Sequence, residues 1–295
     1  MGARLRILRR RIRGVQSTKK ITSAMELIAA SQIRRAQQRV EQARAYAEQI
    51  TQAVQDVTSQ ADTLEHPLLE RREDRNAAAV FVVTSDRGLA GAYNANVLRT
   101  TEELLQTLRH EGKEPKLYVT GRKGQSYFRF RQRAVEETWT GFAERPSYDD
   151  AKDIADTMIE AFVKGEVDEI HGVYTHFVSG LTQRAEARRF VPLVVEEVEE
   201  ESREPQALYL FEPSAEEILE RLIPRYVETR VFAALLEAAA SEHAARRRAM
   251  SAATENAEDL TKTLTREANQ ARQTEITTEI MEIVGAAEAL EKVGS

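Results

Sequence analysis

The sequence predicts a mixed α/β protein in which two long helices, one at each end of the chain, flank a central Rossmann-like α/β domain. Three observations predict it. The stretch from Met1 to Thr58 contains no proline and carries Ala36, Val40, Ala43, Ala47, Ile50, Val54 and Val57 at alternating steps of four and three, the period of a narrow helical seam. From about Ser214 to Leu290 a second series falls near heptad spacing with drifts: Leu222, Tyr226, Leu236, Ala240, Met250, Ala257, Leu260, Leu264, Ala268, Ala271, Ile276, Ile280, Ile283, Ala287 and Leu290. Between Asn76 and Pro192 the period changes to short apolar runs that end in turns.

Taken in order, these features divide the chain into a helix over 1–60, an α/β domain over 76–195 and a helix over 209–290. At about 1.5 Å per residue the first helix extends ~85 Å and the last ~110 Å, too long for burial in one small domain. Many seam positions are alanine, which lets two backbones approach but buries little area, so the helices need surrounding protein for support. Within the domain, the run from Ala77 to Val83 reads as a buried strand that stops at Thr84-Ser85-Asp86-Arg87-Gly88. A second strand runs from Lys116 to Thr120 and ends at Gly121; a third runs from Glu169 to Phe177 and ends near Ser179-Gly180. Helical patterns from Ala95 to His110 and from Tyr148 to Val163 lie between them, and strands alternating with helices argue for a parallel sheet. Leu181 to Pro192 is placed as an edge strand, and Pro205 with the acidic run before it as a surface connection. Pro224, early in the last helix, predicts a kink or a late start.

The composition is lean in core material, with 31% charged and 6% aromatic residues. The absence of cysteine excludes disulfides, thiolate metal sites and thiol catalysis. No run of about 18 apolar residues exists and the basic N-terminus has no signal-type apolar stretch, so membrane association is expected only through partners. A net charge of -6 conceals a strong asymmetry. Arg4, Arg6, Arg9, Arg10, Arg11, Arg13, Lys19, Lys20, Arg34, Arg35, Arg39 and Arg44 face only Glu26 and Glu41 in the first 44 residues. The compensating acid lies in the run from Glu196 to Glu204 and, along the last helix, in Glu275, Glu279, Glu282, Glu288 and Glu291.

Candidate chemistry is sparse. The turn Gly88-Leu89-Ala90-Gly91 has the wrong spacing for G-x-G-x-x-G and no Walker lysine follows, so its glycines are read as serving turn geometry and packing. His66, His110, His171, His176 and His243 are scattered; His171 and His176 lie on opposite faces of one strand and build no metal cluster. No nucleophile elbow is present. The basic first helix could meet phosphate, nucleic acid or an acidic protein. A protein is favoured because the apolar seam continues through the same helix and no aromatic precedes Tyr46.

Three blocks resist a generic reading: Val15 to Glu26 (VQSTKKITSAME), Thr84 to Gly91 (TSDRGLAG), and Met250 to Ala257 (MSAATENA) with Ala271 to Ile280 (ARQTEITTEI). In this order they make the chain resemble the gamma subunit of the F-type ATP synthase, bacterial type, over essentially its full length. The resemblance implies that the two long helices pair as an antiparallel coiled coil, a rotor stalk inside a ring of alternating alpha and beta subunits, with the α/β domain outside that ring near the membrane. Rotation would couple proton flow through the c-ring to ATP synthesis or hydrolysis at the beta subunits. The chain itself would carry no catalytic, cofactor-binding or metal residue, have no membrane span and bind no nucleic acid. Beyond the catalytic hexamer and the c-ring, the resemblance implies an epsilon subunit as partner and a peripheral place at the cytoplasmic face of the bacterial cell membrane. Carried over by position, Met25, Arg246, Arg272, Gln273, Thr277 and Glu279 would meet beta subunits, and Tyr209, Phe211 and Glu212 the c-ring. Two other classes stay open on the residues alone: a basic coiled-coil protein that binds nucleic acid, and a nucleotide-dependent enzyme dependent on Asp86 or Arg87.

Overall fold

The computed structural model describes residues 3–60, 76–192 and 214–293. In chain order the elements are α1 (Ala3–Gln60), β1 (Ala77–Val83), α2 (Tyr93–His110), β2 (Glu114–Thr120), α3 (Arg122–Phe130), β3 (Glu137–Trp139), α4 (Tyr148–Val163), β4 (Glu169–Phe177), β5 (Gln183–Val191) and α5 (Ala215–Val293). The chain forms two compact units, Ala29–Arg246 and a second made of Met1–Ile28 with Arg247–Ser295.

The larger unit is built on a five-stranded sheet in the order β3-β2-β1-β4-β5. β1 runs parallel to both β2 and β4, and β3 parallel to β2, while β5 closes the edge antiparallel to β4. The central strand AAAVFVV is apolar throughout because both of its faces are covered. On one face Ala78, Val80 and Val82 meet Val97, Leu105 and Leu108 of α2 and Phe128 of α3. On the other, Ala79, Phe81 and Val83 meet Ile154, Met158 and Phe162 of α4 together with Leu219, Ile223, Val227 and Val231 of α5. The long C-terminal helix is thus also a covering helix of the sheet. Val57 of α1 joins the same cluster. Further along, Ile33 and Val40 of α1 pack with Leu236, Ala240 and Ala244 of α5 and Phe177 of β4. The seam expected for a bare helix pair is here shared with the sheet.

Two glycines admit contacts that a side chain would block. Gly121 sits at φ 95°, and a Cβ there would lie 2.2 Å from the Thr84 carbonyl oxygen. Gly172 leaves room for the Phe190 ring, whose nearest carbon would be 2.2 Å from a Cβ. α4 opens with a capping box: the Ser147 hydroxyl accepts from the Asp150 amide, while the Asp150 carboxylate accepts from the Ser147 amide. Pro224 does not delay α5, which begins at Ala215. Leu219, Ile223 and Val227 around it are fully buried, and that packing offsets the one backbone bond proline removes.

The smaller unit is an antiparallel helix pair. Thr22 and Thr254 share a hydrogen bond of 2.7 Å, and one turn away Lys19 pairs with Glu258 at 3.0 Å, so the numbering of α1 falls as that of α5 rises. Leu5 and Leu8 pack with Leu264 and Ala268, flanked by Ile12, Val15 and Ala271. On α1 these apolar residues recur every three or four positions, leaving Arg4, Arg6, Arg9, Arg10, Arg11 and Arg13 on the exposed face.

Candidate functional site

The helix pair carries most of the residues assigned to partner contact. Beyond Ala271, α5 has outrun the residues of α1 that could cover it, because Leu5, two residues after the start of α1, already packs at the level of Leu264 and Ala268. The apolar seam expected to continue through Ile276, Ile280 and Ile283 is therefore exposed, Ile283 to 69%. Arg272, Gln273, Thr277 and Glu279 are exposed on the same segment. At 100° per residue, Arg272, Ile276, Glu279 and Ile283 fall on one stripe, so charge and branched apolar surface alternate along a single face. The Thr277 hydroxyl donates back to the Gln273 carbonyl at 2.9 Å, which satisfies it within the helix and leaves its methyl outward. Met25 is half-buried on α1. Ala287 and Leu290 lie where side chains are not described, and Tyr209, Phe211, Glu212 and the acidic run lie outside the described residues.

Arg246 belongs to the other unit and has a different setting. It lies 7% exposed, ion-paired to Glu242 one turn earlier and to Glu144 at 3.3 Å, with the Gly88 carbonyl at 3.5 Å. Glu144 also binds Arg87 at 3.3 Å. Asp86 completes the arrangement: one carboxylate oxygen accepts from the amides of Gly141 and Ala143 at 2.8 and 3.1 Å, the other from the amide of Arg122 at 3.2 Å. The segment TSDRGLAG is thus a structural junction. Ala90 and Tyr93 at its end pack on Ala245 of α5. Of its glycines only Gly91 takes a left-handed conformation, at φ 56°; Leu89 does so as well, at φ 63°.

Burial dominates the electrostatics of this junction. It pushes the Glu242 carboxyl up to about 7, against the downward pull of Arg246, with Glu144 and Asp86 adding to the rise. It also raises the Tyr93 hydroxyl well above the usual tyrosine range and holds His243 below the usual histidine range. The His243 ring lies 3.3 Å from the Glu144 carbonyl oxygen. Sequence reading named Arg246 and the turn but missed Glu242 and Glu144. For Glu242 the available signal was its spacing of four from Arg246, the glutamate inside and the arginine just past the alanine-rich run from Ala238 to Ala245, where a buried charge is expected to have a partner; Glu144 has no such local signal.

The dispersed histidines make structural pairs, His171 with Glu169 at 2.8 Å and His176 with Glu237. Among the described residues, no helix is long and apolar enough to cross a membrane.

Comparison with known proteins agrees with this architecture. A family model described as ATP synthase matches residues 4–290. The ATP synthase gamma chain of Frankia casuarinae is 58% identical over 295 residues, covering 98% of this chain and 99% of the relative. That of Saccharopolyspora erythraea is 54% identical over 307 residues and covers 99% of each. Among solved structures, a chain of the Euglena gracilis mitochondrial ATP synthase, OSCP/F1/c-ring in rotational state 3, shares the fold with a TM-score of 0.68 at 19% identity, over 98% of this chain and 95% of that one. A chain from the central stalk and c-ring of the Tetrahymena thermophila mitochondrial enzyme gives 0.58 at 21% identity, over 79% of this chain and 99% of that one. With the sequence match running through both long helices and the sheet, the chain belongs to the ATP synthase gamma chain family.

Proposed function

We propose that this chain is the central rotor stalk of a bacterial F-type ATP synthase, a non-catalytic subunit that couples rotation of a c-ring to conformational cycling of catalytic beta subunits. The observation that carries the reading is the segment of α5 from Arg272 to Val284, where isoleucines and charged residues stand exposed past the end of α1. Such a surface is stable in water only at the cost of hydrated apolar area and fits a sleeve of alpha and beta subunits. Arg272, Gln273, Thr277, Glu279 and Met25 offer accessible polar or flexible contacts for gripping beta. Arg246, assigned to the same grip, is buried and ion-paired to Glu242 and Glu144, so it supports the shaft from inside the chain. Interactions that differ among the beta states suffice for coupling, because a shaft with distinct faces biases each catalytic site in turn.

In this reading Tyr209, Phe211 and Glu212 meet the c-ring, an epsilon subunit joins the rotor, and the chain sits peripherally at the cytoplasmic face of the cell membrane. Proton flow supplies the torque. Co-expression with the alpha and beta subunits of the same organism tests the proposal. One copy of this chain per catalytic hexamer, with ATPase activity that drops when the chain is truncated before Ala271, supports it. Failure to co-purify, or equal activity without the chain, rejects it.

A further inference from the structure

We propose that Arg246 is a positioning residue that acts inside the chain: with Glu242 and Glu144 it latches α5 to the turn after β1 and to the loop before α4, so that torque passes between helix and sheet at this level. The proposal deepens the rotor reading and rests on it.

The geometry forms a closed circuit. Arg246 leaves α5 and reaches Glu144 on the loop, Glu144 reaches back to Arg87 on the turn, and the neighbouring Asp86 holds the loop through the amides of Gly141 and Ala143. The same guanidinium faces the Gly88 carbonyl. Around it α5 presents Ala238, Ala239, Ala240, Ala244 and Ala245, all buried. A row of alanines permits close approach but has no long side chains to interlock, so it resists sliding or turning of the helix weakly. A planar guanidinium with fixed donor directions supplies the angular restraint that the alanines lack.

Glu242 separates this role from a direct grip on a partner. At 1% exposure it cannot touch another subunit, so the effect of removing it arises inside the chain, with Arg246 as its ion-pair partner. The test uses the complete ATP synthase in inverted membrane vesicles with Glu242→Ala, Arg246→Ala and the double variant. Protons pumped per ATP hydrolysed and amide exchange in the assembled complex are read together. The latch predicts that both single variants lose pumping per ATP to a similar extent. It also predicts that they speed exchange at Gly141, Ala143 and Arg145 at least about 10-fold, and that the double variant is no worse than either. Arg246→Lys, which keeps the charge but not the fork, recovers part of the loss. Should Glu242→Ala not assemble, Glu242→Gln keeps the volume and is expected to show the same defect more weakly. Normal pumping and exchange in the Glu242 variants beside a deficient Arg246→Ala overturns the latch. If the unaltered chain does not join the complex, the rotor reading fails instead, and the latch is then decided by exchange at the same three amides in the isolated full-length chain.

Discussion

Replacing Leu264 by alanine separates pairing within the chain from a helix that merely continues in solvent. Leu264 is 2% exposed, seated among Leu5, Leu8 and Ala268. The substitution removes three carbon groups at about 0.8 kcal/mol each, or roughly 2.4 kcal/mol of transfer free energy. A residual cavity adds to this, but the seam is only two helices wide and can close, so the total stays near the low end of core substitutions, at about 2.5 kcal/mol. That corresponds to roughly a 70-fold rise in the open population of the pair. Native-state amide exchange on the full chain reads it at residues 5–15 and 258–271, and the result should not depend on protein concentration, because both partners belong to one chain. Leu260→Ala is the control: Leu260 is 44% exposed and its truncation should cost no more than about 1 kcal/mol. Equal effects at the two positions, or none at Leu264, would refute the pairing argument.

Other perturbations test other parts of the molecule. Gly121→Ala forces a Cβ to within 2.2 Å of the Thr84 carbonyl and should cost at least about 3 kcal/mol in thermal unfolding, whereas Gly141→Ala, also at positive φ but with open space around it, should cost about 1 kcal/mol. Because burial lowers the His243 pKa in the folded state, its contribution to stability is intact above the unfolded value of about 6.5 and falls as pH drops below it, while Glu242, raised to about 7, contributes in the opposite sense over the same range; His243→Gln should therefore remove the falling part and make stability rise more steeply on acidification in denaturant titrations. Arg272→Ala and Glu279→Ala should leave the stability of the chain within about 0.5 kcal/mol, since both side chains are exposed, yet lower the ATPase of the assembled complex by roughly 5-fold. Unchanged activity would remove these residues from the grip.

Much of this architecture was legible in the residues because apolar period tracks burial. β1, β4 and α4 fall where their apolar runs place them, and β5 forms the expected edge. α2 and β2 each begin two residues earlier than their patterns. α3 and β3 were missed for identifiable reasons. α3 is nine residues long, is rich in charge, and contains Gly124, a poor helix former. Gly124 is there because a Cβ would lie 2.7 Å from Val119 and 2.9 Å from the Thr84 hydroxyl, a tertiary constraint without a local signature. β3 has three residues, none fully buried, too short for any period. At the site, the resemblance supplied Arg246 and the exposed segment of α5, but no periodicity could reveal that Arg246 turns inward, since Glu144 and Arg87 approach it from distant parts of the chain.

Rotation itself is the most direct test. The chain has no cysteine, so a single Glu160→Cys on the exposed surface of α4 offers a unique attachment point for a probe in a complex with alpha and beta subunits otherwise free of reactive cysteine. ATP should drive continuous one-way rotation of the probe, and truncation before Ala271 should weaken the torque. Sustained ATP hydrolysis by the labelled complex with a stationary probe would contradict the rotor reading.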